Sequence, residues 1–167
     1  EPLVKKGDRL LVGQKIGEAK GFISAPVHSS VSGTVLSVAP FLSPVGRKVL
    51  CVEIENDDGY EVNPSIRPCH EGIEEYTPEE VRESVREAGI VGLGGAAFPT
   101  AVKLSPPKDQ TIDAVVLNGA ECEPYLTTDH RLMLERADEI LKAAEAVRMT
   151  VGAKGIHVGI EENKGDV

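Results

Sequence analysis

Apolar positions are organised in two ways along the chain: short runs broken by turn residues up to about residue 62, and longer helix-spaced patterns after it. In the first part, short apolar runs that read as strands fall at 9–11, 15–18, 33–38 and 49–55. Lys6-Gly7-Asp8, Val12-Gly13-Gln14, Ser32-Gly33 and Asp57-Asp58-Gly59 punctuate them. That rhythm predicts strands joined by tight turns. Val49, Val52 and Ile54, with Cys51, combine alternation with continuous apolar character, which predicts one buried face. Pro64, Pro68 and Gly72 interrupt residues 63–76, which read as a linker. Thr77 then offers a helix cap, Pro78 suits the first helical position, and Glu80 completes a capping box. Val81, Val85 and Ala88 supply one apolar face, and Gly89 can end the helix in a left-handed conformation.

A short helix is predicted over 99–104, stopped by Pro106-Pro107, and a buried parallel strand over 112–117. A long helix follows over 128–149, with Leu134, Ala137, Leu141 and Ala144 on one face and Ile140 and Val147 beside it. Gly152 and Gly155 break it, and 155–160 reads as another strand, ending in Glu161-Glu162-Asn163. Alternating β and α from Thr77 onward predicts a parallel sheet. The expected fold class is a two-part α+β chain. A small all-β module spans 1–62, a linker 63–76, and an α/β parallel-sheet nucleotide- or flavin-binding domain 77–167, incomplete at its C-terminus.

Composition narrows the function. The chain has 167 residues, 41% of them hydrophobic, enough for one sizeable core or two small ones. A formal net charge of -9 and a pI near 5.0 argue against nucleic acid and anionic lipid as partners. No apolar run is long enough to span a bilayer and no signal peptide is visible, so a membrane link would come through another segment or subunit. Cys51, Cys69 and Cys122 are scattered, which fits a reducing compartment rather than a disulfide framework. No Cys-x-x-Cys pair is present; Cys69-His70 is the nearest approach to a metal-ligand pair and has no further ligands close in sequence, so no metal site is expected. The chain starts at Glu1 without a methionine and stops at Val167 inside an α/β pattern, which reads as a processed or excised fragment.

Residues 89–103 hold the strongest chemical signal: Gly89, Gly92, Gly94 and Gly95, then Phe98-Pro99-Thr100 at a helix start, then Lys103. Bare backbone N–H groups at a helix N-terminus can cradle a phosphate, and a lysine adds a point charge. The spacing is neither the dinucleotide Gly-x-Gly-x-x-Gly nor the Walker pattern. Taken singly, the glycines read equally as a tight turn, Lys103 as a solvated lysine, Phe98 as core, and Asn118-Gly119 as a turn. Glu121 and Glu123 singly read as solvated loop charges. Together they suggest a nucleotide or flavin site, because ligands in parallel sheets sit at the carboxyl ends of strands, where Asn118 and Glu161 fall.

Lys5-Lys6-Gly7-Asp8, Gly13-Gln14-Lys15-Ile16, Ala25-Pro26 and Ser32-Gly33-Thr34-Val35 together resemble biotinyl/lipoyl-type barrel-sandwich modules. Lys20, beside Gly21, is the nearest candidate for a cofactor-bearing lysine, but it lacks the usual flanking pattern, which favours a structural docking module. His28, beside Ser29 and Ser30, reads as a turn or packing residue rather than a catalyst.

Gly92, Gly94, Gly95, Ala96, Phe98, Pro99, Thr100 and Lys103, followed by Asn118, Glu121, Glu123, Pro124, Asp129 and Arg131, resemble the flavin-binding, NADH-oxidising subunit of respiratory complex I. Leu93 stands where that family has an arginine, and Ala120 where it has an aspartate. The wording of both segments, together with Ala25-Pro26-Val27-His28 and Ser32-Gly33-Thr34-Val35, resembles the RnfC family of ion-translocating electron-transport complexes over nearly the whole chain. Cobalamin-reducing proteins share the layout, so a cobalamin-reductase-type flavoprotein is an alternative, as is a docking module with a degenerate flavin site. The resemblance implies FMN held by Gly92, Gly94, Gly95, Ala96, Phe98, Lys103, Asn118, Glu121 and Glu123, with NADH stacked over the flavin. Within that set it implies a phosphate or flavin-edge contact for Lys103, a flavin hydrogen bond for Asn118, a nicotinamide-nucleotide contact for Glu123 and an aromatic face for Phe98. No general acid or base is required, because the flavin carries the hydride chemistry. The resemblance further implies 4Fe–4S clusters only beyond this stretch, other subunits of a membrane electron-transport complex as partners, NAD(H) as a second partner, and a peripheral position on the cytoplasmic side of the membrane. The fragment alone is expected to be an inactive part of an NADH-linked oxidoreductase.

Overall fold

Short strands and tight turns build the first part of the fold. The computed structural model describes residues 1–66, 72, 75–93, 96–107 and 109–167. In chain order its first strands are β1 (Arg9–Leu10), β2 (Lys15–Gly17), β3 (Val27–His28), β4 (Gly33–Leu42) and β5 (Lys48–Asn56). They form a three-stranded antiparallel sheet of order β1-β4-β5 and a separate antiparallel pair, β2-β3. Among the described residues these two sheets do not join into a closed barrel. Leu10, Ile16 and Val35 are buried between them, with Val4, Val38, Val52 and Ile54 packed against that cluster. Each fully buried aliphatic side chain contributes about 1.5–3 kcal/mol. Gly33 is required at the β4–β5 contact: a Cβ there would lie 2.0 Å from the Glu55 carbonyl oxygen.

Polar groups close one end of this core. Ser32, buried, donates its hydroxyl to Asp57 Oδ1 at 2.6 Å and accepts the Glu61 N–H at 3.0 Å. Gly59 N–H also donates to Asp57 Oδ1, and the Arg9 guanidinium pairs with Asp57 Oδ2. The Ser32 hydroxyl first, then the Gly59 N–H and Arg9, hold the pKa of the Asp57 carboxyl down to about 2.

Four predicted strands are present, with ends shifted by one or two residues except β4, which runs on to Leu42. The sequence pattern does not predict β3; at two residues it is too short to carry an alternation signal.

The chain folds as two compact units, one of residues 1–70 with 85–102 and the other of 71–84 with 103–167. The expected capping box is made at α1 (Pro78–Glu87). Thr77 Oγ1 accepts the Glu80 N–H at 3.3 Å, and the Glu80 carboxylate accepts the Thr77 N–H at 2.8 Å. Val81 and Val85 are half-buried, whereas Ala88 is exposed. Gly89 ends the helix at φ +67, where a Cβ would also lie 2.7 Å from the Pro26 carbonyl oxygen. The helix α2 (Thr100–Lys103) stops before the two prolines.

In the second unit β6 (Ala114–Asn118) and β7 (Gly155–Gly159) pair in parallel, with Asn118 opposite Gly159. The crossover between them is α3 (Thr128–Val151), ended by Gly152 in the left-handed region at φ 70. Arg82 Nη1 donates to the Thr150 carbonyl at 3.1 Å and so binds the far end of α3. Two features differ from the periodicity reading. The helix kinks at Arg136, whose φ of -135 and ψ of 29 are not helical. Of the expected face only Ala144 is buried, while Leu134 and Leu141 stay exposed. A two-stranded sheet is too narrow to cover a 24-residue helix, so the apolar face outruns the surface available to it.

Candidate functional site

Two backbone hydrogen bonds pin the base of the glycine-rich loop. Gly92 N–H donates to the Phe98 carbonyl at 2.9 Å and Thr100 N–H to the Ile90 carbonyl at 3.0 Å, beside a bridge between Val91 and Pro99. Leu93, next to this bridge, is 96% exposed. Ala97 is held at φ 48. A residue with a Cβ in the left-handed region costs about 1–3 kcal/mol, and such strain gathers at ligand clamps and other functional sites. Gly92 and Phe98 are half-buried and Ala96 is exposed. Gly94 and Gly95 lie outside the described residues, as does the Cys69-His70 pair. Lys103, exposed at the end of α2, has no ion-pair or hydrogen-bond partner among the described residues.

The second segment sits at the carboxyl ends of β6 and β7. Asn118 is the last residue of β6, and its Oδ1 accepts the Ala120 N–H at 3.2 Å in an Asx turn. Its side-chain NH2 group has no partner among the described residues and stays available as a donor. Gly119 N–H donates to the Gly159 carbonyl at 2.8 Å, which carries the chain over the end of β7. A Cβ at Gly119 would lie 2.8 Å from Met133 Sδ, whose side chain would have to shift, and 3.2 Å from the Gly159 carbonyl oxygen. Between these strand ends and α3 lies a cavity of about 410 Å³. Its wall is apolar, made by Leu117, Met133, Ile140 and Val158 among others, and Asn118, Gly119 and Asp129 bring polar groups to it. Apolar walls with a few convergent polar groups are the usual make-up of a small-molecule site.

Glu121 makes helix-capping contacts. Its side chain is only 3% exposed. One carboxylate oxygen accepts the Asp129 N–H at 2.9 Å and the other the His130 N–H at 3.3 Å, and Lys164 Nζ lies 3.7 Å away. Thr127, at the N-cap position, makes no side-chain cap bond, so Glu121 caps α3 from the preceding loop. The Asp129 N–H lowers its pKa most, with His130 N–H and Lys164 adding to that and burial opposing. His130 Nε2 in turn meets Asp166 Oδ1 at 2.9 Å, which lowers the Asp166 pKa. The loop after β6, the start of α3 and the segment after β7 are thereby tied together at the rim of the cavity.

Glu123 and Cys122 are exposed or half-exposed in the same loop, and the Glu123 carboxylate has no partner among the described residues. The structure therefore brings Asn118, Gly119 and Asp129 to one cavity and places Glu121 and Glu123 in the loop that follows β6. The glycine-rich loop belongs to the first compact unit. Sequence reasoning missed the His130–Asp166 pair and the capping role of Glu121. Both join residues far apart in the chain, and neither has a local motif. Among the described residues no cluster of three His, Cys, Asp or Glu side chains is placed to hold a metal ion, and no helix is long and apolar enough to cross a membrane.

Two family models match the chain. Residues 1–59 match the RnfC barrel sandwich hybrid domain, and residues 85–167 match the Nuo51 FMN-binding domain. The chain is 47% identical over 165 residues to the RnfC protein of the Na(+)-translocating ferredoxin:NAD(+) oxidoreductase complex of Acetobacterium woodii, covering 99% of this chain and 37% of that protein. It is 41% identical to the corresponding protein of the proton-translocating ferredoxin:NAD(+) oxidoreductase complex of Clostridium ljungdahlii, covering 98% of this chain and 35% of the relative. The equivalent protein of the ion-translocating oxidoreductase complex of Rhodobacter capsulatus is 43% identical, with 98% and 32% covered. The chain thus spans 32–37% of the length of these curated relatives.

Proposed function

The chain belongs to the RnfC family, and from that premise we propose that it is part of the RnfC protein of an ion-translocating oxidoreductase complex. In this reading the protein exchanges electrons between NADH and iron–sulfur carriers through bound FMN, as a peripheral component on the cytoplasmic side of the membrane. The observation that carries it is the placement of Asn118 and Gly119. They stand at the carboxyl ends of two parallel strands, over an apolar cavity, inside the segment that matches an FMN-binding domain.

The residues present fit such a cofactor in part of its chemistry. An apolar wall suits a flat ring, and the unpaired NH2 group of Asn118 suits a ring carbonyl. Phosphate would fall to the backbone N–H groups of Gly92, Gly94, Gly95 and Ala96 and to the unpaired charge of Lys103. Phe98 would offer an aromatic face, and Glu123 would contact the nicotinamide nucleotide. Glu121 holds the start of α3 in place. Bound FMN supplies the hydride-accepting chemistry, and the chain orients it and excludes water.

The test is reconstitution of the full-length protein with FMN and anaerobic titration with NADH. Bleaching of the flavin absorbance is expected. Lys103→Ala and Asn118→Ala should each weaken FMN retention about tenfold or more, the loss of one charged or buried hydrogen bond. Full retention in both variants would remove the site assignment, and flavin that binds but does not bleach would remove the NADH-linked role.

A further inference from the structure

In a chain with 27 carboxylate side chains, none falls between Glu18 and Glu53. That stretch contains β4 and its turn into β5, with Arg47 and Lys48 at the tip. The paired strands fall into two parts. Near the core, Val35, Val38, Val52 and Ile54 pack against the buried cluster, while Ser37 and Glu53 are joined by a hydrogen bond of 2.8 Å on the exposed side. This is the inward-apolar, outward-polar alternation of a sheet solvated on one side. Beyond Val38 the alternation lapses. The row continuing the inner face holds Pro40 opposite Leu50 and then Leu42 opposite Lys48, and the outer row holds Ala39 opposite Cys51 and Phe41 opposite Val49. Up to Lys48 both faces are apolar, and among the described residues their outer positions lie open: Leu42 is 72% exposed and Val45, in the turn, 80%.

The edges are open as well. Among the described residues β5 pairs only with β4, and β4 past Val35 pairs only with β5. An uncovered apolar ribbon with two free edges is an aggregation hazard unless something receives it.

We propose that the outer half of the β4–β5 hairpin is a docking finger for a protein partner, one that offers an apolar cleft rimmed by carboxylates. Two observations choose this occupant. Arg47 and Lys48 are the only charges from residue 36 to 52, on a chain of net charge -9, so the tip of this hairpin seeks negative charge. The free strand edges exclude the alternative of a bilayer, because unpaired N–H and C=O groups do not enter hydrocarbon, whereas a protein cleft can pair them by strand addition. An anionic membrane would also repel the acidic body of the chain.

The partner pool in the test rests on the reading that the chain works in an assembly of several proteins. The assembly is purified from cells through a tag on another of its members, with the full-length chain present. Failure of the wild-type chain to co-purify counts against that reading, and the finger is judged separately by photo-crosslinking in intact cells from a benzophenone residue at position 45. A cross-link to another protein, reduced about tenfold or more by Arg47→Glu with Lys48→Glu, is the expected result. Leu42→Ser should reduce it similarly, with FMN content and melting temperature of the purified full chain unchanged. Cross-links to lipid, to the chain itself or to nothing, or a protein cross-link indifferent to charge reversal, would overturn the proposal.

Discussion

The first unit seals a small apolar cluster between two sheets, whereas the second leaves apolar side chains open around a cavity. Leu10, Ile16 and Val35 are sealed between two small sheets, and Ser32, Asp57 and Arg9 close the end of that core with mutually satisfied polar groups. In the second unit one parallel pair of strands and a kinked helix leave Leu132, Leu141 and Val158 exposed around a cavity. Polar ties hold that unit's rim: Glu121 on the start of α3, His130 on Asp166, Arg82 on the end of α3. The difference separates two uses of apolar surface. Where it is sealed it stabilises the fold, and where it lines a cavity it is kept for what enters.

The contrast can be broken by substitution. Leu10→Ala, at a position with 0% exposure, is expected to cost about 3–4 kcal/mol in urea unfolding followed on the first unit. A loss below about 1 kcal/mol would show that this core is not sealed. Gly89→Ala is expected to cost about 2 kcal/mol, because it combines a left-handed φ with a close approach to Pro26. Glu121→Ala should cost about 1–2 kcal/mol, since it strips the cap of α3. Hydrogen exchange resolved by peptide should place that loss at the start of α3 and leave β4 and β5 protected. Equal loosening of both units would contradict the division between them. Leu141→Ala, 53% exposed, should cost less than about 1 kcal/mol in stability but weaken FMN retention, which sharpens the assignment of this surface to a ligand.

Acid distinguishes the units more gently. The folded-state pKa of Asp57 is depressed to about 2, so its contribution is fully present above the unfolded value near 3.8 and is lost as the pH falls toward 2. Urea midpoints of the first unit should therefore decline between about pH 4 and pH 2 more steeply in the wild type than in Asp57→Asn. Parallel decline in the two proteins would show that Ser32, Gly59 and Arg9 do not act through the carboxylate charge.

Much of the fold is legible in the sequence where the signal is local. The capping box at Thr77 and Glu80, the left-handed glycines at 89 and 152, and the parallel run into Asn118 all follow from residues within a few positions of one another. The two-residue β3 gives no periodic signal, and Pro40 hides the extension of β4. That proline is tolerated because β4 past Val35 is an edge strand. The kink at Arg136 has no proline or glycine to announce it, and nothing in the structure explains it.

The candidate site divides along the same line. Its residue types are readable because glycines, a lysine and a strand-terminal asparagine each carry intrinsic backbone or hydrogen-bonding chemistry. The duty of Glu121 is not, because a carboxylate serves whichever donors come within reach, and the chain fold alone brings Asp129, His130 and Lys164 there. Local sequence thus determined the helix caps, the tight turns and the kind of most elements, since backbone conformation is governed largely by near neighbours. Tertiary structure decided which apolar faces are covered and which polar groups remain unpaired, because burial and partner choice depend on residues distant in the chain.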